Sequence, residues 1–261
     1  MKASKGIHKH GFFKLGKAPA KKDRRNFKLA SLLKVLPVMP REWDYDTAHK
    51  TYHIPLPMFG NDVYGDCVIA GRAHQTLRFE TTEQKKVITM TEKEVLREYW
   101  KEEGGTGPNY DQGLVVLDSL KLWRKNGWKV GDHAYTIHAF AQIDQKNQAE
   151  VKAAVYLLTG AGAGLSLPIS AQTQIDAGKP WDVTSGPDAR PGSWGGHYVF
   201  FSGYTTKGPV CVTWGRKQQI TWAFLKKYCD ELYGIVDNKD RFVKNSPIDV
   251  EKLERYLNQI D

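Results

Sequence analysis

The sequence predicts an α+β protein of two lobes, with helices leading and strands following. Three stretches between residues 67 and 126 repeat apolar side chains at helical spacing. From residue 135 onward, short β-rich runs separated by Gly and Lys-Gly turns take over. The chain of 261 residues is long enough to bury one large core or two smaller ones.

Taken in order, residues 1–36 read as a basic arm interrupted by Gly6, Gly11, Gly16, Pro19 and Pro37, with one short amphipathic helix in reach over 25–36. Residues 37–62 are rich in Pro and aromatic residues, an extended and ordered approach to the helical segment beyond them. A helix is expected to open at Cys67, with Ile69, Ala70, Ala73 and Leu77 on one face. A second runs over 91–103, where Thr91 and Glu94 form a capping box. A third runs over 111–126, with Leu114, Leu117, Leu120 and Trp123 aligned and Gly127 as its stop. Beyond them, strands are expected at 135–143, 164–169, 197–204 and 209–214, and helices at 148–158, 221–233 and 249–259. Runs of strands after runs of helices are the signature of an α+β architecture. The domain reading is an arm over 1–36 and one domain over 37–261, its helical lobe near 60–130 and its β-rich lobe near 131–236.

Charge is distributed unevenly. The net charge is +9, yet residues 1–34 hold eleven Lys and Arg against Asp23 alone, so the remainder is close to neutral at −1. The arm reads either as a solvated tail that orders on a partner or as an anchor for an acidic partner, nucleic acid or a protein surface. No apolar run is long enough for a membrane span, and the basic N-terminus lacks the apolar stretch of a secretion signal. Cys67, Cys211 and Cys229 make no disulfide framework and suit a reducing compartment, cytoplasmic or virion-associated. No cofactor and no metal is expected. His49 and His53 are four apart but stand beside Pro55 and Pro57 without a third ligand, and His8 and His10 lie in the arm. The run Gly160-Ala-Gly-Ala-Gly164 lacks the Lys-Ser or Lys-Thr of a phosphate loop and reads as small residues leading into a strand.

One constellation carries chemistry. A cysteine at a helix N-terminus has its thiolate favoured by the helix dipole and free amides. Cys67 stands there, after Gly65 and Asp66. A base must be held on a rigid element, and His197 opens a strand after Ser193-Trp194-Gly195-Gly196. The bland alternatives are a small buried hydrophobe for Cys67, a backbone-bonded strand-end residue for His197, and a turn residue for Asn61.

These residues bear a family likeness. Gly60-Asn-Asp-Val-Tyr-Gly-Asp-Cys-Val-Ile-Ala70 resembles the nucleophile segment of papain-like cysteine peptidases, with Asn61 where the family has the glutamine of the oxyanion hole. Leu36-Pro-Val-Met-Pro-Arg-Glu-Trp-Asp44 resembles the start of a mature domain of that family. His197-Tyr-Val-Phe-Phe-Ser-Gly-Tyr204 is similar to its histidine strand, 130 residues beyond Cys67. Val212-Thr-Trp-Gly215 is similar to the asparagine-serine-tryptophan-glycine motif after it, and the Thr-Trp that opens the next helix is closer to bacterial double-glycine leader peptidases, which implies a bacterial or phage origin. The resemblance implies a papain-like fold, Cys67 as nucleophile, His197 as base, Asn61 as oxyanion donor, and Gly65, Asp66, Trp194, Gly196 and Trp214 along a peptide or protein substrate. Val212 holds the orienting position but has no polar side chain, so Thr213 is the nearest substitute.

Two classes of function are in reach. One is a thiol hydrolase, a peptidase or amidase. The other is a papain-like scaffold used for binding or assembly, a phage virion component among them, docked through its basic arm. Nucleic-acid binding as the main function rests on the arm alone.

Overall fold

A computed structural model of the chain describes residues 13–105, 107–238 and 247–260. The first twelve residues of the arm, with His8 and His10, lie outside the described residues. A two-residue strand β1 (Trp43–Asp44) leads into α1 (Tyr45–Ala48), capped by Asp44, whose carboxylate accepts from the Thr47 amide. Then comes α2 (Cys67–Gln84), closed by Lys85 in the left-handed conformation at φ 56°. Every residue of α2 from Cys67 to Thr81 is buried, so its polar residues need partners. Arg72 donates to the Ser119 carbonyl at 2.9 Å and pairs with Glu102 at 2.7 Å, while Arg78 holds Asp46 through two bonds of 2.9 and 2.7 Å.

The expected capping box is present in α3 (Glu92–Glu103): Thr91 Oγ1 accepts from the Glu94 amide, and the Glu94 carboxylate accepts from the Thr91 amide. Helix α4 (Val116–Asn126) stops at Gly127, φ 63°. A small hairpin, β2 (Trp128–Val130) and β3 (His133–Tyr135), precedes β4 (Ala139–Gln142), so the single strand expected over 135–143 is two, broken at Thr136–His138. Next are α5 (Gln148–Leu157), capped by Asn147, β5 (Ala161–Leu167), α6 (Ile169–Asp176), β6 (Gly195–Tyr204), β7 (Pro209–Thr213), β8 (Arg216–Gln219) and α7 (Trp222–Tyr228), capped by Thr221. The last elements are β9 (Cys229–Val236) and α8 (Val250–Ile260). The expectation of helix to residue 233 is corrected here: the helix ends at Tyr228 and the next eight residues are a strand. Strand β9 is buried on both faces except at Asp230, so it shows no polar alternation to separate it from the helix before it.

The sheet is antiparallel in the order β4-β9-β5-β6-β7-β8, with β1 added beside β6. Successive residues of a strand face opposite sides. On β6, Tyr198 joins the core built on α2, α3 and α4, while Val199 and Phe201 join the core beneath α5, α6 and α7. Two cores flanking one sheet match the two-lobed α+β expectation. Close contact across the first core depends on missing side chains: a β-carbon at Gly71 would stand 2.6 Å from the Tyr198 ring.

The described part of the arm lies on the body. Residues 25–36 hold one 3-10 turn, Leu29–Ser31, in place of an amphipathic helix. Their backbone pairs instead with Gln142 and Ile248 through isolated bridges, and Leu29 and Leu32 enter the core. No helix among the described residues is long and apolar enough to cross a membrane.

Candidate active site

The N-terminus of α2 meets the start of β6 at a sulfur atom. Cys67 Sγ accepts a hydrogen bond of 3.4 Å from the amide of Tyr198, the residue after His197. His197 Nε2 and Thr213 Oγ1 share a hydrogen bond of 2.7 Å. His197 Nδ1 is buried and has no hydrogen-bond partner among the described residues. Strand parity explains why Thr213, and not Val212, meets the imidazole. Phe200 pairs with Val212 and Phe201 with Cys211, so Thr213 shares a face with Phe201, Val199 and His197, and Val212 faces the other way. A hydroxyl donates or accepts, so it holds the ring without dictating the tautomer as an amide oxygen would.

Trp214 lies on the imidazole, ring centroids 4.0 Å apart and planes at 11°. Its backbone is in the left-handed region at φ 43°, a strained setting for a bulky residue. Trp194 packs on Trp214 at 5.5 Å. Beneath Trp214 the histidine is fully buried.

The cleft is filled by the chain itself. Residues 13–18 run through it as an extended segment. The Lys14 amide donates to the Asn61 carbonyl at 3.2 Å, and the Lys14 carbonyl accepts from Trp214 Nε1 at 3.2 Å and Asn61 Nδ2 at 3.5 Å. Asn61 Nδ2 also donates to the Tyr64 carbonyl at 3.2 Å. The Lys17 amide donates to Gly196 O at 3.1 Å, and Leu114 brackets Lys17 by accepting from Ala18 N and donating to Gly16 O, each at 2.9 Å. Gly65 and Gly16 are in backbone contact: a β-carbon at Gly16 would stand 1.7 Å from the Gly65 carbonyl oxygen. Phe13 completes the cover by packing on Trp214 at 4.6 Å. Of the expected substrate contacts, Gly65, Gly196, Trp194 and Trp214 all touch this segment. Asp66 is fully buried at the start of α2.

Burial sets the protonation states. It pushes the Cys67 thiol up to about 12, against the smaller opposing pull of the Tyr198 amide. It pulls His197 down to about 3. The Asp66 carboxyl is raised well above its ordinary range by burial, only partly opposed by the Asn61 amide. With the segment in place, thiol and imidazole are both neutral.

Sequence reasoning missed the partners of the arm. Lys14 pairs with Asp111 at 3.1 Å, Lys17 with Asp230 at 3.0 Å and Glu231 at 3.2 Å, and Lys21 with Asp118 at 2.9 Å. Asp111 also accepts from the Gly65 amide at 2.8 Å and from the Tyr99 hydroxyl at 2.7 Å, so it fixes the turn before Cys67. The one signal that pointed this way was the small, side-chain-free Gly16 between Leu15 and Lys17. His49 stacks on Tyr45 at 4.1 Å, and no cluster of metal-ligating side chains exists among the described residues.

No protein-family model and no curated protein matches the sequence. Among solved structures, the chain is similar to xylellain, a cysteine protease from Xylella fastidiosa, at 18% identity and TM-score 0.66, over 90% of this chain and 100% of that one. It is similar to proCathepsin B S9 from Trypanosoma congolense at 10% identity and TM-score 0.63, over 87% of each chain. The Carica candamarcensis cysteine protease CMS1MS2 is a further likeness, at 12% identity and TM-score 0.53, over 77% of this chain and 100% of that one. The chain has the papain-like cysteine-protease fold.

Proposed function

We propose that the chain is a thiol hydrolase, a peptidase or amidase working through Cys67 and His197, and that residues 13–18 hold it closed. The observation that carries this reading is the division of labour on the imidazole. Thr213 holds Nε2, and Nδ1 is left without a partner on the residue whose neighbour's amide touches Cys67 Sγ. When the segment leaves, water and substrate restore the thiol and imidazole to a titratable pair. With Nε2–H donating to Thr213, Nδ1 takes the thiol proton as Sγ attacks the carbonyl carbon. The proton then passes to the leaving amine, and water cleaves the thioester by the same route in reverse. Asn61 Nδ2 and the Cys67 amide stabilise the oxyanion. That Asn61 already donates towards a peptide carbonyl, Lys14 O, supports its reach.

A cysteine-directed alkylating probe tests the pair. With residues 13–18 displaced, labelling should map to Cys67, which they cover, while Cys211 and Cys229 stay in the other core, and it should be lost in Cys67→Ala. If His197→Ala labels at the wild-type rate with the wild-type pH profile, the pair is wrong. The filled cleft favours a second reading, a papain-like scaffold for binding or assembly. A folded protein inert to the probe even after the segment is displaced would select it.

A further inference from the structure

We infer that the pocket filled by Lys17 is a substrate subsite for a lysine side chain, and that the peptides this cleft takes carry a glycine next to that lysine. The inference deepens the hydrolase reading and rests on it. Residues 13–18 touch Asn61, Gly65, Gly196 and Trp214, so they lie along the track a peptide must take to reach Cys67. Their backbone bonds to Gly196 and Leu114 are indifferent to sequence. Two side-chain positions are not.

At Lys17 the side chain is 1% exposed and its ammonium meets three acceptors, Asp230 Oδ2 at 3.0 Å, Glu231 Oε1 at 3.2 Å and Ala18 O at 3.1 Å. Two hydrogen bonds, to Asp230 Oδ2 and Ala18 O, and an ion pair with Glu231 converge on one nitrogen, a setting for a compact ammonium and not for the planar fork of a guanidinium. Ser166 donates to Asp230 Oδ2 at 2.9 Å and fixes its orientation. The floor is Gly164, where a β-carbon would stand 2.2 Å from Lys17 Cε. Vacated, the pocket holds two carboxylates, one of them buried, without a cation, a state that favours entry of another lysine. At Gly16 the Gly65 backbone leaves no room for any side chain.

The test uses the full chain carrying Lys17→Glu, which vacates the pocket, with Lys17→Met as the alternative should that variant not fold. Fluorescent acetyl-Leu-Gly-Lys-Ala-amide and its reversed sequence are titrated by anisotropy in a Cys67→Ser background, and turnover is measured with Cys67 intact. At least one order should bind, and norleucine for lysine should weaken it at least about tenfold, the loss expected of one buried charge pair. Glu231→Gln should narrow that difference, and alanine for glycine should abolish binding. Equal affinity for the lysine and norleucine peptides overturns the inference, as does failure of every peptide to bind while an open Cys67 is labelled freely. Lysine-selective binding without hydrolysis of any peptide leaves the subsite standing and overturns the hydrolase reading. Hydrolysis without lysine preference does the reverse.

Discussion

Substituting Gly16→Ala should open the cleft without altering Cys67 or His197. The added β-carbon would stand 1.7, 2.2 and 2.3 Å from the O, C and Cα atoms of Gly65. All three are backbone atoms of the turn before α2, held by the bond from the Gly65 amide to Asp111, and cannot swing aside. The segment must lift at its centre, which breaks the bonds from Leu114 N to Gly16 O and from Lys17 N to Gly196 O. At about 1 kcal/mol for each bond, the closed state loses about 2 kcal/mol, or roughly 30-fold in the open-to-closed ratio. The assay is the second-order rate of Cys67 alkylation, with reagent dilute enough that the rate tracks the open population. Expected is a rise of roughly 30-fold at unchanged global melting temperature. An unchanged rate in a protein with wild-type melting would show that residues 13–18 do not gate the thiol.

The same geometry sets further outcomes. Thr213→Val should keep the fold and lower Cys67-dependent turnover about tenfold, since it strips the hydroxyl from His197 Nε2; Thr213→Ser should restore most of it. Burial holds His197 and His74 neutral, each down to about 3 against an ordinary 6.5. Between those values these two residues bind more protons in the unfolded chain than in the folded one, so their contribution to stability falls as pH drops below about 6.5, against the opposite contribution of buried carboxyls such as Asp66. Urea titrations from about pH 7 to 5 should show this slope, and His197→Gln should remove part of it. Arg72→Met should cost about 3 kcal/mol in urea unfolding, because it leaves the buried Glu102 carboxylate without its cation, while Glu98 keeps Lys101 at 3.1 Å.

Cys67 and His197 were legible as a candidate pair because each announces itself locally. Cys67 begins a helix after a glycine turn, and His197 follows the two glycines that open a strand, features that depend only on neighbours in sequence. Thr213 was legible as the nearest polar residue, but its claim over Val212 rests on the pairing of β6 with β7, and pairing is not written in either strand alone. Strand β9 was misread because burial on both faces erased its alternation. The arm was the largest loss. Its lysines looked unpartnered because Asp111, Asp118, Asp230 and Glu231 lie far along the chain and come near only when the sheet forms. Glycines 162 and 164 read as small residues leading into a strand, yet both lie within β5, where one leaves room for Tyr198 and the other for Lys17.

The ion pairs along the seated segment differ in how much water they see. Lys21 and Asp118 are about half exposed, Lys14 and Asp111 less so, and the Lys17 side chain hardly at all. Electrolyte at about 0.15 M screens charges beyond roughly 8 Å and weakens wet pairs far more than dry ones. Rising ionic strength should thus loosen the Lys21 and Lys14 pairs at the rim of this cover well before the Lys17 pair at its centre, so salt alone should leave Cys67 covered.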